Sequence, residues 1–291
     1  MEIECRHCRG KEILKKGFRK NKTGNMQIYY CKNCRKTFSE NTTFARMKNK
    51  GEIILTALDL YTKNVSLRNI QNHLKQVHGI KVSHVAILKW IRKYSSIFKQ
   101  YTEKLKLNGS GTLHADEMMI NVDGKWVWFW DVIDERTKFI TATHMSKTRE
   151  MGDAKRIFYE SKRKLNQPPT TIVTDGLHAY PRSIKKVFGQ WSVNHVNLIK
   201  FSQKPENNLI ERFHGTIRER TKIMRGFDKF YSAKAILDLL IINYNFLRPH
   251  SSLNGLTPAQ ASGIDLPLNG GNRWLELLRL AIDNLNGGVE K

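Results

Sequence analysis

Three acidic residues stand where their carboxylates could bind metal ions. Asp116 lies within the apolar segment TLHADEMMINV, Asp175 ends the short apolar segment TIVTD, and Glu211 begins a later helical segment. A carboxylate in or at the end of a buried strand is costly unless it is paired or bound to a metal. Carboxylate oxygens suit Mg²⁺ or Mn²⁺, and two such ions could hold the attacking and leaving oxygens of a phosphoryl displacement.

Each acid also has a simpler interpretation. Asp175 could begin an Asx turn before Gly176, and Asp116 could pair with a nearby arginine. Glu211, in the first turn of a helix, would gain ~0.3–1 kcal/mol from the helix dipole. Three other acids are alternative metal ligands: Glu117, Asp131 and Asp134.

Two basic residues follow Glu211 on the same predicted helical face. Arg218 comes seven residues after Glu211, which is about two helical turns, and His214 lies between them. Both are predicted to contact a DNA phosphate beside the metal ions.

All four cysteines belong to two C-x2-C pairs. Cys5 and Cys8 are followed, after 22 residues, by Cys31 and Cys34. This pattern predicts one structural zinc ion, with an iron site as the alternative. Two short strands around the turn NKTGN would complete a zinc ribbon over residues 1–42. The basic residues of the ribbon favour DNA over a protein partner: Lys15, Lys16, Arg19 and Lys20.

Three short helical patterns follow in residues 43–107. Ser66 is a suitable N-cap for the second helix, Gly79 ends it, and Ser83 begins the third. The apolar faces are predicted to include Val77 and Val85. A helix-turn-helix fits this arrangement, and a plain helical bundle is the alternative. The third helix would carry the DNA contacts, with Ser83 and His84 in the major groove and the phosphate-binding residues Lys89, Arg92 and Lys93.

A predicted flexible break at 108–111 separates these helices from a second domain, residues 111–262. Three strands, with a hairpin at Asp123-Gly124, precede alternating helices and strands. This succession predicts an RNase H-like α/β fold, a mixed sheet flanked by helices. Residues 263–291 form a C-terminal helical tail whose amphipathic helix could cover the core or join another subunit.

The composition indicates a polyanionic partner. Among 291 residues, 50 are Lys or Arg and 26 are Asp or Glu, a net charge of +24, and most of this excess lies in residues 1–110. Such an excess self-repels unless it meets a polyanion such as DNA. No apolar run is long enough to span a membrane and no secretory signal is visible. We therefore expect a cytoplasmic, nucleoid-associated protein without a membrane partner.

These residues carry a family likeness. The chain resembles DDE-class insertion-sequence transposases of the retroviral-integrase, RNase H-like superfamily, in the compact type with an N-terminal zinc ribbon and helix-turn-helix. The matching motifs are HADEMM, IVTDGLHAY, NNLIERFHGTIR and NYNFLRPHSSLNGLTPAQASG. The spacings of 58 residues between Asp116 and Asp175 and of 35 residues between Asp175 and Glu211 also fit.

The resemblance implies a reaction and its participants. Asp116, Asp175 and Glu211 would be the catalytic residues and would bind two Mg²⁺ or Mn²⁺ ions. The enzyme would bind the double-stranded ends of an insertion sequence, nick them, and join the freed 3′-hydroxyl to target DNA, as a homodimer or higher oligomer. The alternatives are a catalytically idle DNA-binding regulator and another RNase H-like nuclease.

Overall fold

A computed structural model of the chain describes residues 4–5, 7–8, 10–21, 24–39, 44, 47–189, 193–198, 208–224 and 226–287. The chain divides into two compact units, Met1–Ala57 and Leu58–Lys291. Among the described residues, no helix combines the length and the apolar character needed to cross a membrane.

A small antiparallel sheet forms the first unit. Its strands lie in the order β1 (Ile13–Asn21), β2 (Gly24–Cys31) and β3 (Thr37–Ser39). The two predicted strands are confirmed, and the third, only three residues long, was not predicted. The predicted turn includes residues 22–23, which lie outside the described residues. The buried core of this sheet consists of Cys5, Tyr29, Cys31 and Phe38.

Three helices follow, and their ends match the predicted caps. They are α1 (Gly51–Thr62), α2 (Leu67–His78) and α3 (His84–Thr102). The Ser66 hydroxyl accepts the Asn69 N–H and the Ser83 hydroxyl accepts the Ala86 N–H, each at 3.2 Å. Gly79 ends α2 with a left-handed φ of 65°, a conformation that glycine adopts without strain.

Two of the predicted buried residues are exposed. Val77 is 64% exposed and Val85 is 49% exposed. The buried face of α2 consists of Ile70 and Leu74, so Val77 lies beyond it near the end of the helix. Val85 lies in the first turn of α3, before the buried stretch that begins at Ile87. The packed faces are therefore shorter than the periodicity predicts.

The second unit contains a mixed five-stranded sheet in the order β6-β5-β4-β7-β8. β4 pairs antiparallel with β5, β5 antiparallel with β6, and β7 parallel with both β4 and β8. The predicted α/β succession is confirmed, and the sheet order places Asp116 and Asp175 on neighbouring strands. The elements are β4 (Thr112–Val122), β5 (Lys125–Asp134), β6 (Ile140–Ser146), α4 (Met151–Lys164), β7 (Thr171–Asp175), α5 (Ala179–Phe188), β8 (Asn194–Leu198), α6 (Asn208–Met224), α7 (Phe230–Ile242), α8 (Pro258–Ala261) and α9 (Arg273–Gly287).

The β4–β5 hairpin has the predicted turn. Asp123 and Gly124 have positive φ angles of 55° and 70°. A two-residue turn with both central residues in this region matches the twist of the strands that it joins. The register of the hairpin, which pairs Val122 with Lys125, is therefore set by the turn.

Helix α3 packs against α7 and α9. The Ser95 hydroxyl donates to the Ala235 carbonyl at 2.6 Å, and Lys99 forms an ion pair with Asp238 at 2.6 Å. The Phe98 ring lies 5.5 Å from the Trp274 ring of α9. The C-terminal helix therefore contributes to the buried core of this unit, which includes Leu277, Leu278 and Ala281.

A single side chain covers part of the sheet edge at β6. Asn245 lies in a π-helical turn, Asn243–Leu247. Its amide oxygen accepts the Ile140 N–H at 2.9 Å and its amide nitrogen donates to the Ile140 carbonyl at 3.0 Å. The side chain thus occupies the hydrogen-bonding positions that a further strand would use.

Replacing this amide should lower stability. Asn245→Ala would leave both backbone groups of Ile140 buried without these partners, so we expect the free energy of unfolding to fall by ~2–4 kcal/mol. Urea unfolding measures the change. Asn72→Ala, at an exposed position of α2, is the control and should stay within ~0.5 kcal/mol of the parent chain. Equal stability of the two variants would contradict this account.

Candidate metal centres

The two aspartates lie where neighbouring parallel strands stop pairing. The last residue pair between β4 and β7 is His114 with Val173. Asp116 and Asp175 each follow two residues later, so their side chains project beside the end of the paired region. Oxygens of Asp116, Asp175 and Glu117 all lie within 4.8 Å of one another. We call these three residues the acid group.

His214 of α6 connects two acids of adjacent strands. Asp131 of β5 is paired with Asp116 of β4. The His214 Nε2 atom lies 2.7 Å from Asp131 Oδ1, and its Nδ1 atom lies 3.8 Å from Asp116 Oδ2. Asp131 is completely buried, so His214 orients Asp116 from a position fixed by a buried ion pair.

The electrostatics of the site favour an added cation. Burial raises the pKa of Asp116 to about 7; His214 opposes this rise, whereas Glu117 and Asp131 add to it. Burial lowers the pKa of His214, but the charge and hydrogen bond of Asp131 raise it above its ordinary value overall. Within the part of the chain that the structure describes, Asp131 Oδ2 is buried without a hydrogen-bond partner. The donor set therefore fits a divalent ion bound by carboxylate oxygens.

The pKa of Asp116 predicts a pH dependence for the metal-free protein. A carboxyl group with a folded pKa of about 7 and an ordinary value of 3.8 opposes folding once it ionises. Its contribution to stability should therefore fall as the pH rises from about 4 to about 7. Urea unfolding in the presence of a chelator measures this slope, and Asp116→Asn should reduce it. An identical slope in the parent chain and in Asp116→Asn would contradict the raised pKa of Asp116.

Glu117, an alternative ligand in the sequence analysis, is held from two sides. Arg149 Nε donates to Glu117 Oε1 at 2.7 Å and Tyr180 donates to the other oxygen. Arg149 Nη2 also lies 3.6 Å from Asp175 Oδ2. Sequence reasoning missed Arg149 and Tyr180. The one signal for Tyr180 was its place in the motif IVTDGLHAY, five residues after Asp175.

The simpler interpretations of the aspartates are partly realised. The Leu177 N–H donates to Asp175 Oδ1 at 3.0 Å, so the Asx turn exists, and Asp175 Oδ2 lies 3.6 Å from Arg149 Nη2. The nearest basic partner of Asp116 is His214 rather than an arginine.

Asp134, the third alternative ligand, lies at the far end of β5. It accepts the Ser110 N–H at 2.7 Å and the Thr137 N–H at 2.9 Å. These bonds order the turn after β5 and tie down the segment 108–111, in which Asn108 also donates to the Ser262 carbonyl. The hydrogen bonds of Asp134 therefore stabilise the fold around the end of β5.

Glu211 and Arg218 lie on α6 on either side of His214. Both side chains are exposed, and Glu211 does not belong to the group of oxygens within 4.8 Å. The positive charge of Arg218 is close enough to lower the pKa of His214. Helix α6 thus exposes Glu211 and Arg218, whereas His214, predicted to contact a DNA phosphate, is buried against Asp131 and Asp116.

The four cysteines converge in the first unit. The Sγ atoms of Cys5 and Cys34 are 3.6 Å apart, those of Cys8 and Cys31 are 3.5 Å apart, and all four lie within 4.8 Å of one another. A tetrahedral zinc with Zn–S bonds of about 2.3 Å implies sulfur separations of about 3.8 Å. The cluster therefore fits a zinc ribbon.

The residues predicted to contact DNA from α3 differ in their surroundings. Ser83 caps the helix, the His84 N–H donates to Gln71 at 3.1 Å, and Lys89 is exposed. Arg92 instead donates to the Ser232 hydroxyl of α7 at 2.8 Å. The ammonium group of Lys93 lies 5.3 Å from the Tyr94 ring, and burial lowers its pKa. In the first unit, the predicted contact residues are all exposed on β1: Lys15, Lys16, Arg19 and Lys20.

Comparison with known proteins agrees with this architecture. A family model described as a DDE domain matches residues 110–243. The transposase for insertion sequence-like element IS431mec of Staphylococcus aureus is 22% identical over 218 residues, which cover 74% of this chain and 94% of that protein. An uncharacterized protein of Methanocaldococcus jannaschii is 26% identical over 191 residues, 66% of this chain and 81% of that protein.

Among solved structures, the HTLV-2 integrase catalytic core domain in complex with magnesium matches with a TM-score of 0.42 and 15% identity, over 54% of this chain and 99% of that chain. The match to the DDE domain spans the strands that carry the acid group, and the Staphylococcus aureus relative is a named transposase. The chain therefore carries a DDE domain at residues 110–243 and is similar to a transposase of an insertion sequence.

Proposed function

We propose that this chain is a transposase that binds the ends of an insertion sequence, cleaves a strand there and transfers it to target DNA. Residues 1–42 and 43–107 bind DNA, and residues 111–262 form the catalytic domain. The observation that carries the proposal is the convergence of Asp116 and Asp175 from neighbouring strands of a DDE domain. Partly buried carboxylates that converge beside a basic helix are typical of a functional site.

Asp116, Asp175 and Glu211 are the proposed ligands of two Mg²⁺ or Mn²⁺ ions. When bound, the ions lower the barrier by stabilising charge on the attacking and leaving oxygens. His214 holds Asp116 in place through its contact with Asp131. Arg218, exposed on the same helix, contacts the DNA phosphate.

The reaction balances without an energy-rich cofactor. In the first step a water oxygen bonds to phosphorus, the bond from phosphorus to the 3′-oxygen breaks, and that oxygen takes up a proton to become a hydroxyl. In the second step the 3′-hydroxyl oxygen attacks a target phosphodiester. One phosphorus–oxygen bond forms and one breaks, so no ATP is required.

The zinc ribbon and the three helices are proposed to supply DNA binding. The ribbon presents Lys15, Lys16, Arg19 and Lys20, and α3 presents Ser83, His84 and Lys89. Contacts with phosphate release counterions, so binding should weaken steeply as salt rises. The protein would act on double-stranded DNA as a homodimer or higher oligomer, because two element ends must be joined together.

The direct test uses DNA that carries the inverted repeats flanking the gene. The purified chain with Mg²⁺ or Mn²⁺ should nick these ends and join them to a target duplex. Binding without nicking would favour a regulator that has lost its activity. Cutting of branched DNA without strand joining would favour another nuclease.

Glu211 can be tested separately from the two aspartates. Glu211 lies outside the acid group in the structure. To act as a metal ligand, its carboxylate must move toward the acid group when DNA or a metal ion binds. Glu211→Gln should reduce nicking at least ~100-fold, since a lost metal ligand costs several kcal/mol in the transition state. Glu219→Gln is the matched control, an exposed acid on the same helix. Equal activity of the two variants would remove Glu211 from the site.

A further inference from the structure

One face of the β4–β5 hairpin carries large apolar side chains in contact with solvent. Trp126 is 63% exposed and Met119 is 51% exposed, and Trp128 between them is partly buried. We call these three residues the hairpin strip. The residue pairs Met119 with Trp128 and Asn121 with Trp126 place them on the same face.

The opposite face of the same hairpin is buried. Met118, Ile120, Val127 and Phe129 are each less than 5% exposed. The hairpin is also fixed at its tip, where the Asp123 N–H donates to the Phe227 carbonyl and the Phe227 N–H donates to the Asn121 carbonyl. The exposure of the strip is therefore a property of one face of an anchored hairpin rather than of a projecting loop.

The strip begins where the helical cover of the sheet ends. Further along the same face, Trp130 is completely buried and packs edge-on against Tyr180 of α5. Glu117 is paired with Trp130 and shares this face. On this face, the buried residues next to the helices are therefore Glu117 of the acid group and Trp130. The exposed residues that follow them are those of the hairpin strip.

Arg149 connects the strip to the acid group directly. Its guanidinium carbon lies 4.6 Å from the centre of the Trp128 ring, and the same guanidinium is bonded to Glu117. Trp126 lies two residues from Trp128 on β5, a distance of about 7 Å. A DNA strand with its phosphate at the acid group would therefore have its neighbouring bases within reach of both indole rings.

The charges around the strip suit a nucleic acid. Lys125 precedes Trp126, and Lys147 follows Ser146, which is paired with Trp128; both lysines are exposed. These two lysines lie beside the strip against one acid of the turn, Asp123, whereas the charge of Arg149 is shared with Glu117 and Asp175. Aromatic rings interspersed with cations are the features that bind single strands, because rings stack on bases and cations attract phosphates. A second copy of the chain would instead bring a basic surface of its own.

We propose that the hairpin strip stacks unpaired bases of the DNA strand whose phosphate lies at the acid group. The ligand class is an unpaired nucleobase next to the cleavage point, and the strip holds the opened end of the duplex. This inference rests on the proposed function for its place in the reaction, but the stacking itself can be measured without any reaction.

The binding test uses the full chain and a mixed-sequence single-stranded oligonucleotide that contains 2-aminopurine, whose fluorescence falls when it stacks. The parent chain should quench the probe. Trp126→Ala should bind it roughly tenfold more weakly, the loss expected for one stacked base, and should quench less. Trp126→Phe keeps a ring and should restore most of both signals. Tyr159→Ala is the matched control, because Tyr159 is 49% exposed on α4 and should leave both unchanged.

A cleavage test then places the strip in the reaction. With duplex element ends, Trp126→Ala should nick more slowly, and ends already unpaired by mismatches should restore the rate. Asp175→Asn should abolish nicking of both substrates while keeping the quenching. If the parent chain quenches the probe but nicks neither substrate, the inference of base stacking holds and the proposed function is wrong.

Two outcomes would overturn the inference. Unchanged quenching and affinity in Trp126→Ala would show that the strip does not stack bases, whatever the chain cleaves. A lower oligomer mass for Trp126→Ala in sedimentation, with normal quenching, would show that the strip is covered by a second copy of the chain.

Discussion

Asp175→Asn is expected to abolish DNA cleavage and strand joining by the full-length chain while DNA binding persists. The substitution removes the charge of a proposed metal ligand from the acid group, and losing ~4 kcal/mol of transition-state stabilisation slows a reaction ~1,000-fold. The fold should survive, because the Asn carbonyl oxygen can still accept the Leu177 N–H that Asp175 Oδ1 accepts. Nicking and joining of labelled element ends, with a parallel binding assay, measure the effect.

Asp123→Asn is the matched control for this variant. Asp123 is an exposed aspartate in the turn between β4 and β5, and asparagine tolerates its left-handed conformation. Its cleavage rate should equal that of the parent chain. Nicking by Asp175→Asn at the rate of this control would remove Asp175 from the catalytic site.

Cys31→Ser should cost the first unit its metal and its structure. Cys31 is completely buried beside the three other cysteines, and its sheet has a core of only a few residues. Structural zinc supplies ~10–16 kcal/mol in small domains, more than such a core can replace. Zinc content, protection of β1 to β3 from amide hydrogen exchange, and DNA affinity should all fall.

The two centres should respond independently to their variants. Asp175→Asn should retain its zinc, and Cys31→Ser should retain exchange protection in the sheet β6-β5-β4-β7-β8, because Leu58–Lys291 is a compact unit. Protection of β1 to β3 that persists in zinc-free Cys31→Ser would show that the metal does not fold this region.

Local signals predicted most of the elements. Ser66, Gly79 and Ser83 ended or began helices where capping chemistry places them, and the turn at Asp123-Gly124 set the hairpin. The strand β3 was missed because three residues carry no periodicity. The clamp by Asn245 was missed because it joins residues 105 positions apart, and no local pattern records such a contact.

The acid group was predictable in part. Asp116 and Asp175 interrupt apolar strands, and a parallel sheet brings strand ends together. Alternation along a strand places adjacent residues on opposite faces, so Glu117 should point away from Asp116. Their oxygens nevertheless lie within 4.8 Å of each other, beside the point where β4 and β7 stop pairing. The contact between Arg149 and Glu117 joins residues 32 positions apart, and no local pattern predicts it.

The packing of α3 has a consequence for where the enzyme would cut. This helix has 19 residues, a length of about 28 Å. Its first turn carries Ser83 and His84, the proposed readers of sequence, and its last turns are bonded to α7 and α9. The separation between recognised bases and the cleaved phosphate would then be set by a rigid helix rather than by a linker. Such an enzyme would cut at a constant number of base pairs from its recognition sequence.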